Sequence, residues 1–245
     1  GCDEGTMKPV IVSISKPQQE SHYGQETRQT MNLPFPFYCH TDGWRDIDRE
    51  ANSLREKLAY RADRRNKAVT IALEKHPEVT DVAMIDSWYL SQEDAVRQLI
   101  QEYQQLPKPC CLGPAIWGRM RTNLSQVLHS PVRFYDAWAT PELRWCPEDW
   151  RPEHDILTSQ EQVPLRGLYQ VSSIGGCYIF PRSLWNIGTR YGVPEDLHGC
   201  EHNYFHAWHS LPKYIDFNVQ LWRVKRYGLV HCARCIIGNW LRTRN

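Results

Sequence analysis

An acid set directly after a buried apolar run is the first residue of this chain whose type and place could do chemistry. Asp81-Val82-Ala83-Met84-Ile85 reads as a buried strand, and Asp86 closes it. In open parallel sheets, ligands bind in the crevice beyond the carboxyl ends of the strands, so a carboxylate there faces a ligand. Asp42, in the turn after Phe35-Pro36-Phe37-Tyr38-Cys39-His40, and the Gly175-Gly176 pair are expected at similar ends. A turn Asp is also an ordinary turn former. Arg61, Arg64, Arg65 and Asn66 lie on the helical segment ahead of the Asp86 strand. Arg forks match phosphate oxygens, and a spacing of three or four puts two of them on one helix face. The same residues would equally serve a solvated face paired with Glu56 or Asp63.

Cysteine and histidine offer a second chemistry. Cys232-Ala233-Arg234-Cys235 is a Cys-x-x-Cys, and His202 and His206 stand four apart on an expected helix. Such side chains hold zinc, but a zinc signature repeats its pairs within a short span, and these lie a strand and a loop apart. Buried inert thiols are the competing reading.

The elements that must position these groups follow from periodicity. Val10–Ser15 is a β-branched run and predicts a strand; Cys110–Ile116, Val132–Asp136, Val171–Phe180 around its Gly pair, and Ile215–Val224 predict others. Ile47–Glu74 is charged and periodic, with Leu54, Leu58, Ala62, Val69 and Leu73, and predicts one or two helices that Pro77 ends. Ser91 with Asp94 has capping-box spacing before a helix carrying Ala95, Leu99 and Ile100. Glu201–Leu211 predicts a helix, and residues 140–164, rich in Pro, Trp and acids, a long surface excursion. Strands alternating with helices predict an α/β fold: a single Rossmann-type domain, its central sheet mostly parallel with helices on both faces.

Composition narrows the partners. With 29 Lys and Arg against 28 Asp and Glu, no global field draws the chain toward nucleic acid or anionic membrane. From Lys213 onward, seven basic residues face one acid, Asp216, which reads either as a solvated tail or as a surface for phosphates. Nine cysteines cannot all pair, which fits a reduced compartment. No apolar run reaches membrane-span length and no signal-peptide core is visible, so the expected location is cytoplasmic or otherwise intracellular. Gly1–Thr6 reads as a remnant ahead of Met7, leaving 7–245 as the expected domain.

Taken in order, Val10–Ser15, Asp42, Arg65-Asn66 with Ala68, and Val82–Asp86 with Ser87-Trp88 resemble the GT-A fold of sugar-nucleotide glycosyltransferases, over nearly all of Met7 to His231. A narrower likeness, carried by Tyr60–Asn66 and Gly175–Arg182, is to fungal capsule and mannan mannosyltransferases. The resemblance implies a UDP- or GDP-linked sugar donor contacted by Ser15, Asp42, Arg61, Arg64, Arg65, Asn66 and Trp88. It implies acceptor contacts from Gly175, Gly176, Glu201 and His202, with Asp86 and Glu201 catalytic. Glu195-Asp196 is the other candidate for the late acidic pair. A divalent cation, manganese or magnesium, would sit on Asp86 and His231. Trp88 stands here where the family's Asp-x-Asp motif has its second acid. A single carboxylate is a poor cage for a hard cation, and Arg64, Arg65 or Arg226 could take its place.

The expected function is therefore sugar transfer from a nucleoside diphosphate to a hydroxyl. The alternatives are a non-catalytic sugar- or nucleotide-binding protein with a decayed motif, and a nucleic-acid-modifying transferase using the basic C-terminal segment. A nucleotidyltransferase recedes, because Ser13-Ile14-Ser15-Lys16-Pro17 lacks the glycine-rich loop it would need.

Overall fold

The computed structural model describes residues 7–14, 33–43, 45, 47–86, 92–119, 132–134, 166–195 and 199–223. Their strands are β1 (Pro9–Ile14), β2 (Phe37–His40), β3 (Asp81–Ile85), β4 (Cys111–Arg119), β5 (Val132–Phe134), β6 (Leu168–Gln170), β7 (Cys177–Pro181) and β8 (Lys213–Arg223). The helices are α1 (Ile47–Glu50), α2 (Leu54–Lys75), α3 (Glu93–Gln105), α4 (Arg182–Asn186) and α5 (Glu201–Ala207).

All eight of these strands join one sheet in the order β2-β1-β3-β7-β4-β8-β6, with β5 on β4. β1 runs parallel to β2 and β3, and β4 parallel to β8. β7 runs antiparallel to both β3 and β4, and β5 and β6 are also reversed. The fold is thus α/β with a mixed sheet: β2, β1, β3, β4 and β8 run the same way, as expected of a mostly parallel centre, while β7, between β3 and β4, is reversed, as are β5 and β6. A strand buried on both faces is a continuous apolar run in either direction, and β7 is buried throughout, so its pattern carries no sign of the reversal.

Side chains alternate across the pleat and divide the core in two. Val10, Val12, Val82 and Met84 pack with Ala62, Ala68, Val69 and Ala72 of α2 and Phe205 of α5. Their neighbours Ile11, Ala83 and Ile85 pack with Val96, Leu99, Ile100 and Tyr103 of α3. Helices therefore cover both faces, as expected. No helix among the described residues is long and apolar enough to cross a membrane.

α2 sets the site's geometry. The Ser53 side chain accepts from Glu56 N at 3.2 Å, and Glu56 Oε2 accepts from Asn52 N at 2.9 Å, which satisfies amides that the first turn leaves open. The helix closes at His76, one residue before Pro77. Its buried stripe runs Leu58, Ala62, Arg65, Val69, Ala72, the spacing of one helical face. Arginine is rarely buried without a partner, so Arg65 in that stripe marks a polar site inside the core.

Three local expectations are corrected. The Val171–Phe180 run is not one strand: β7 starts at Cys177, after a connection that holds the Gly pair. Gly176 has φ +28 there, a conformation that disfavours a side chain. The helix expected from Glu201 to Leu211 ends at Ala207. α3 is capped at Gln92, with no side-chain cap bond, and Ser91 lies outside the described residues. The 140–164 excursion also lies outside them.

Candidate functional site

Asp86 follows β3 at the rim of the sheet. Its N–H donates to Gly176 O at 3.0 Å, because β7 begins alongside the end of β3, where Ile85 pairs with Cys177. Its side chain is 19% exposed, and Oδ1 lies 2.8 Å from Arg65 Nη1. Arg65, 4% exposed, comes up from α2 beneath it and donates through Nε to Glu201 Oε1 at 3.1 Å. Glu201 is the first residue of α5, buried at that helix's amino end where a carboxylate also meets the helix dipole favourably. Three expected site residues, from a helix, a strand end and a second helix, thus meet on one guanidinium.

The electrostatics follow from burial. Burial alone would lower the Arg65 pKa, but Asp86 and Glu201 outweigh it and hold the guanidinium well above its ordinary value. A cation so enclosed is a fixed charge that orients two carboxylates, not a mobile phosphate ligand. Glu201 Oε2 and His202 Nδ1 are buried with no hydrogen-bond partner among the described residues.

An aromatic wall backs the trio. The Arg65 guanidinium sits 5.9 Å from the Tyr191 ring centre. Tyr178 donates to Tyr191 Oη at 2.6 Å, and His202 meets both rings edge to face. Burial, reinforced by Arg65, pushes His202 well below its usual pKa, so the ring is neutral at pH 7. Asn66 clamps the Tyr191 backbone twice: Nδ2 donates to Tyr191 O at 3.0 Å, and Tyr191 N donates to Oδ1 at 2.9 Å. Asn66, expected on the donor, is here a support for Tyr191. Tyr178 entered the sequence reading only as part of the Gly175–Arg182 segment, and Tyr191 carried no motif, since nothing local distinguishes either from a core aromatic.

The other expected residues fall in different places. Arg64, adjacent to Arg65 but turned to another side of α2, donates to Asp42 O and to His40 O and so holds the end of β2. Asp42 itself is exposed beyond β2, two strands from β3. Arg61 is half-buried one turn before Arg65, close enough to His202 to help lower its pKa. Ser15, Trp88, Arg226, His231, Cys232 and Cys235 lie outside the described residues. The basic count of the C-terminal segment includes Lys213, which is buried and donates to His209 O at 3.0 Å and Leu211 O at 3.2 Å.

Metal-competent side chains converge elsewhere. Cys111 at the start of β4, His206 in the last turn of α5 and His209 just beyond it each bring a ligand atom within 4.8 Å of the others. The expected pairing of His202 with His206 is therefore replaced: His202 belongs to the Arg65 site, and His206 joins His209 and Cys111. Spacing of four suggested a shared ligand set, whereas the helix end at Ala207 lets His209 fold back to His206 instead.

With protein-family models and with curated proteins, the chain gives no match.

Proposed function

We propose that the chain is a glycosyltransferase that moves a sugar from a nucleoside-diphosphate donor to a hydroxyl acceptor at the Asp86 rim. The observation that supports this best is the meeting of Asp86, Arg65 and Glu201 beside Gly176. It puts a part-exposed carboxylate, held rigidly, where an α/β sheet receives its ligand.

In this reading the acceptor oxygen bonds to the anomeric carbon as the bond to the diphosphate oxygen breaks, the acceptor's hydroxyl proton passes to the Asp86 carboxylate, and negative charge grows on the leaving diphosphate. Fixed positive charge is what lowers such a barrier. Arg61, half-buried beside the trio, is the side chain that faces the diphosphate, and Asp86 contacts the reacting sugar or acceptor. Arg65 donates through Nε to Glu201 and lies at ion-pair distance from Asp86, so it acts as a positioning residue. Glu201, expected to touch the acceptor, has in this reading the part of holding Arg65, which its burial and its bond to Arg65 Nε support. Ser15 and Asp42 are the proposed nucleoside contacts, and Gly175 and Gly176 the backbone that a sugar approaches.

A manganese or magnesium ion on Asp86 and His231 fits the described residues poorly. A hard cation takes six or more oxygens, and Asp86 already spends one on Arg65. The cations that the described residues bring to this rim are Arg61 and Arg65.

The deciding experiment is a thermal-shift screen of the full chain against UDP- and GDP-linked sugars, each with and without manganese, followed by a donor-hydrolysis assay. A ligand that binds the native state raises Tm by mass action. Stabilisation with turnover supports the transferase. Stabilisation with no hydrolysis or transfer identifies a non-catalytic nucleotide-sugar-binding protein, and no stabilisation by any donor removes both readings.

A further inference from the structure

We infer that Cys111, His206 and His209 form a binding site for a zinc-class transition metal, separate from the Asp86 rim. One thiol and two imidazoles are the ligand set that such ions select over hard cations, for which carboxylates and carbonyls are the usual partners. The three come from parts of the chain that only the fold unites: β4, the last turn of α5 and the residue pair beyond it.

The distances suit the assignment. His206 Nδ1 and His209 Nε2 are 3.3 Å apart. Metal–nitrogen bonds of about 2.0–2.1 Å at a tetrahedral angle give an edge of about 3.3 Å. Cys111 and His206 are buried, and His209 is half-buried, which leaves a side from which an ion can enter. His206 Nδ1 and His209 Nε2 also stand at hydrogen-bond distance from each other, the contact an ion would replace, while the outer nitrogens, His206 Nε2 and His209 Nδ1, are buried. Burial keeps both imidazoles neutral at pH 7, the state that ligates.

Binding would form a sulfur–metal bond as the Cys111 S–H bond breaks and its proton leaves to solvent. Burial raises the Cys111 thiol, while the neighbouring Lys213 ammonium acts in the opposite direction and favours the thiolate. Three protein ligands leave a fourth position for water or another donor. The metal would pin the carboxyl end of α5 to β4, and the amino end of the same helix carries Glu201, the partner of Arg65. Its role is then to fix α5.

The test uses the full chain, stripped with chelator and reloaded with zinc or cobalt(II), then freed of excess ion. We expect about one metal per chain by elemental analysis, a thiolate-to-cobalt charge-transfer band in the near ultraviolet, and a Tm several degrees above the stripped form. His209→Gln, at the half-buried ligand, is expected to keep the far-ultraviolet dichroism of the stripped parent while losing at least about tenfold in metal affinity. Cys111→Ser is expected to lose the charge-transfer band. A parent chain that retains no metal overturns the assignment. So does metal held equally well by His209→Gln and Cys111→Ser, which would move it to other cysteines such as Cys232 and Cys235. Neither result depends on sugar transfer, so this site and the Asp86 reading stand or fall separately.

Discussion

Arg65 Nη1 lies 2.8 Å from Asp86 Oδ1, inside a core where the arginine side chain is only 4% exposed. The pair ties the middle of α2 to the end of β3, and the second bond, from Arg65 Nε to Glu201, ties both to α5. Desolvating a guanidinium is expensive, and the two carboxylates are what make its burial tolerable.

Replacing Arg65 by Met leaves two carboxylates packed together without their cation. Breaking a buried pair from one side costs about 3–5 kcal/mol. Urea denaturation should show that loss, and Arg65→Lys should recover only part of it, because an ammonium cannot match two carboxylates with a planar fork. Wild-type stability in Arg65→Met would mean the trio is not formed in solution.

Asp86→Asn keeps the shape and removes the charge. If the rim is the transfer site, donor turnover should fall by about 100-fold or more while the fold survives, since Glu201 still holds Arg65. The readouts are the rate of sugar release from the best-binding donor and the far-ultraviolet dichroism. Unchanged turnover would put the chemistry elsewhere.

Asn66→Ala removes both bonds to the Tyr191 backbone. We expect a stability loss of about 1–3 kcal/mol, because buried backbone groups are left unpaired. A support role moves Tm first, with donor affinity following only as Tyr191 shifts. An altered KM at unchanged Tm would restore the donor contact expected from sequence.

His202 predicts acid sensitivity. Its folded pKa is held well below 6.5, so below about pH 6.5 the unfolded chain takes up a proton that the folded chain refuses. The unfolded state then binds more protons, and stability falls as pH falls. The loss through this ring begins as the pH falls through about 6.5 and grows towards more acid pH. Urea midpoints across that range should decline, and His202→Gln should flatten part of the slope. A slope identical in parent and variant would show that His202 is not the group responsible.

The apolar β-branched runs at Val10–Ile14 and Val82–Ile85 were enough to locate β1 and β3, because a fully buried strand needs no information beyond its own side chains. The Leu58-Ala62-Val69 stripe and Pro77 likewise marked the body and the end of α2, while nothing in the Ile47–Glu74 run set its start at the Ser53 cap. That an acid ends β3 was plain as well, and so was the presence of arginines on the preceding helix. Periodicity says which face of an element is apolar. It does not say which distant segment will cover that face.

Tertiary packing decided the remainder. Consecutive residues on a helix point about 100° apart. Arg64 and Arg65 are interchangeable in the sequence, yet one holds the end of β2 and the other joins Asp86 to Glu201. Arg65 and Glu201 stand 136 residues apart, as no local motif could reveal. The reversal of β7 is also absent from its own pattern, since direction depends on the route of the connection and not on the strand. Cys111, His206 and His209 belong to separate elements, and neither spacing nor composition relates the cysteine to the histidines. Close packing of the sheet against α5 is what brings them within reach of a single ion.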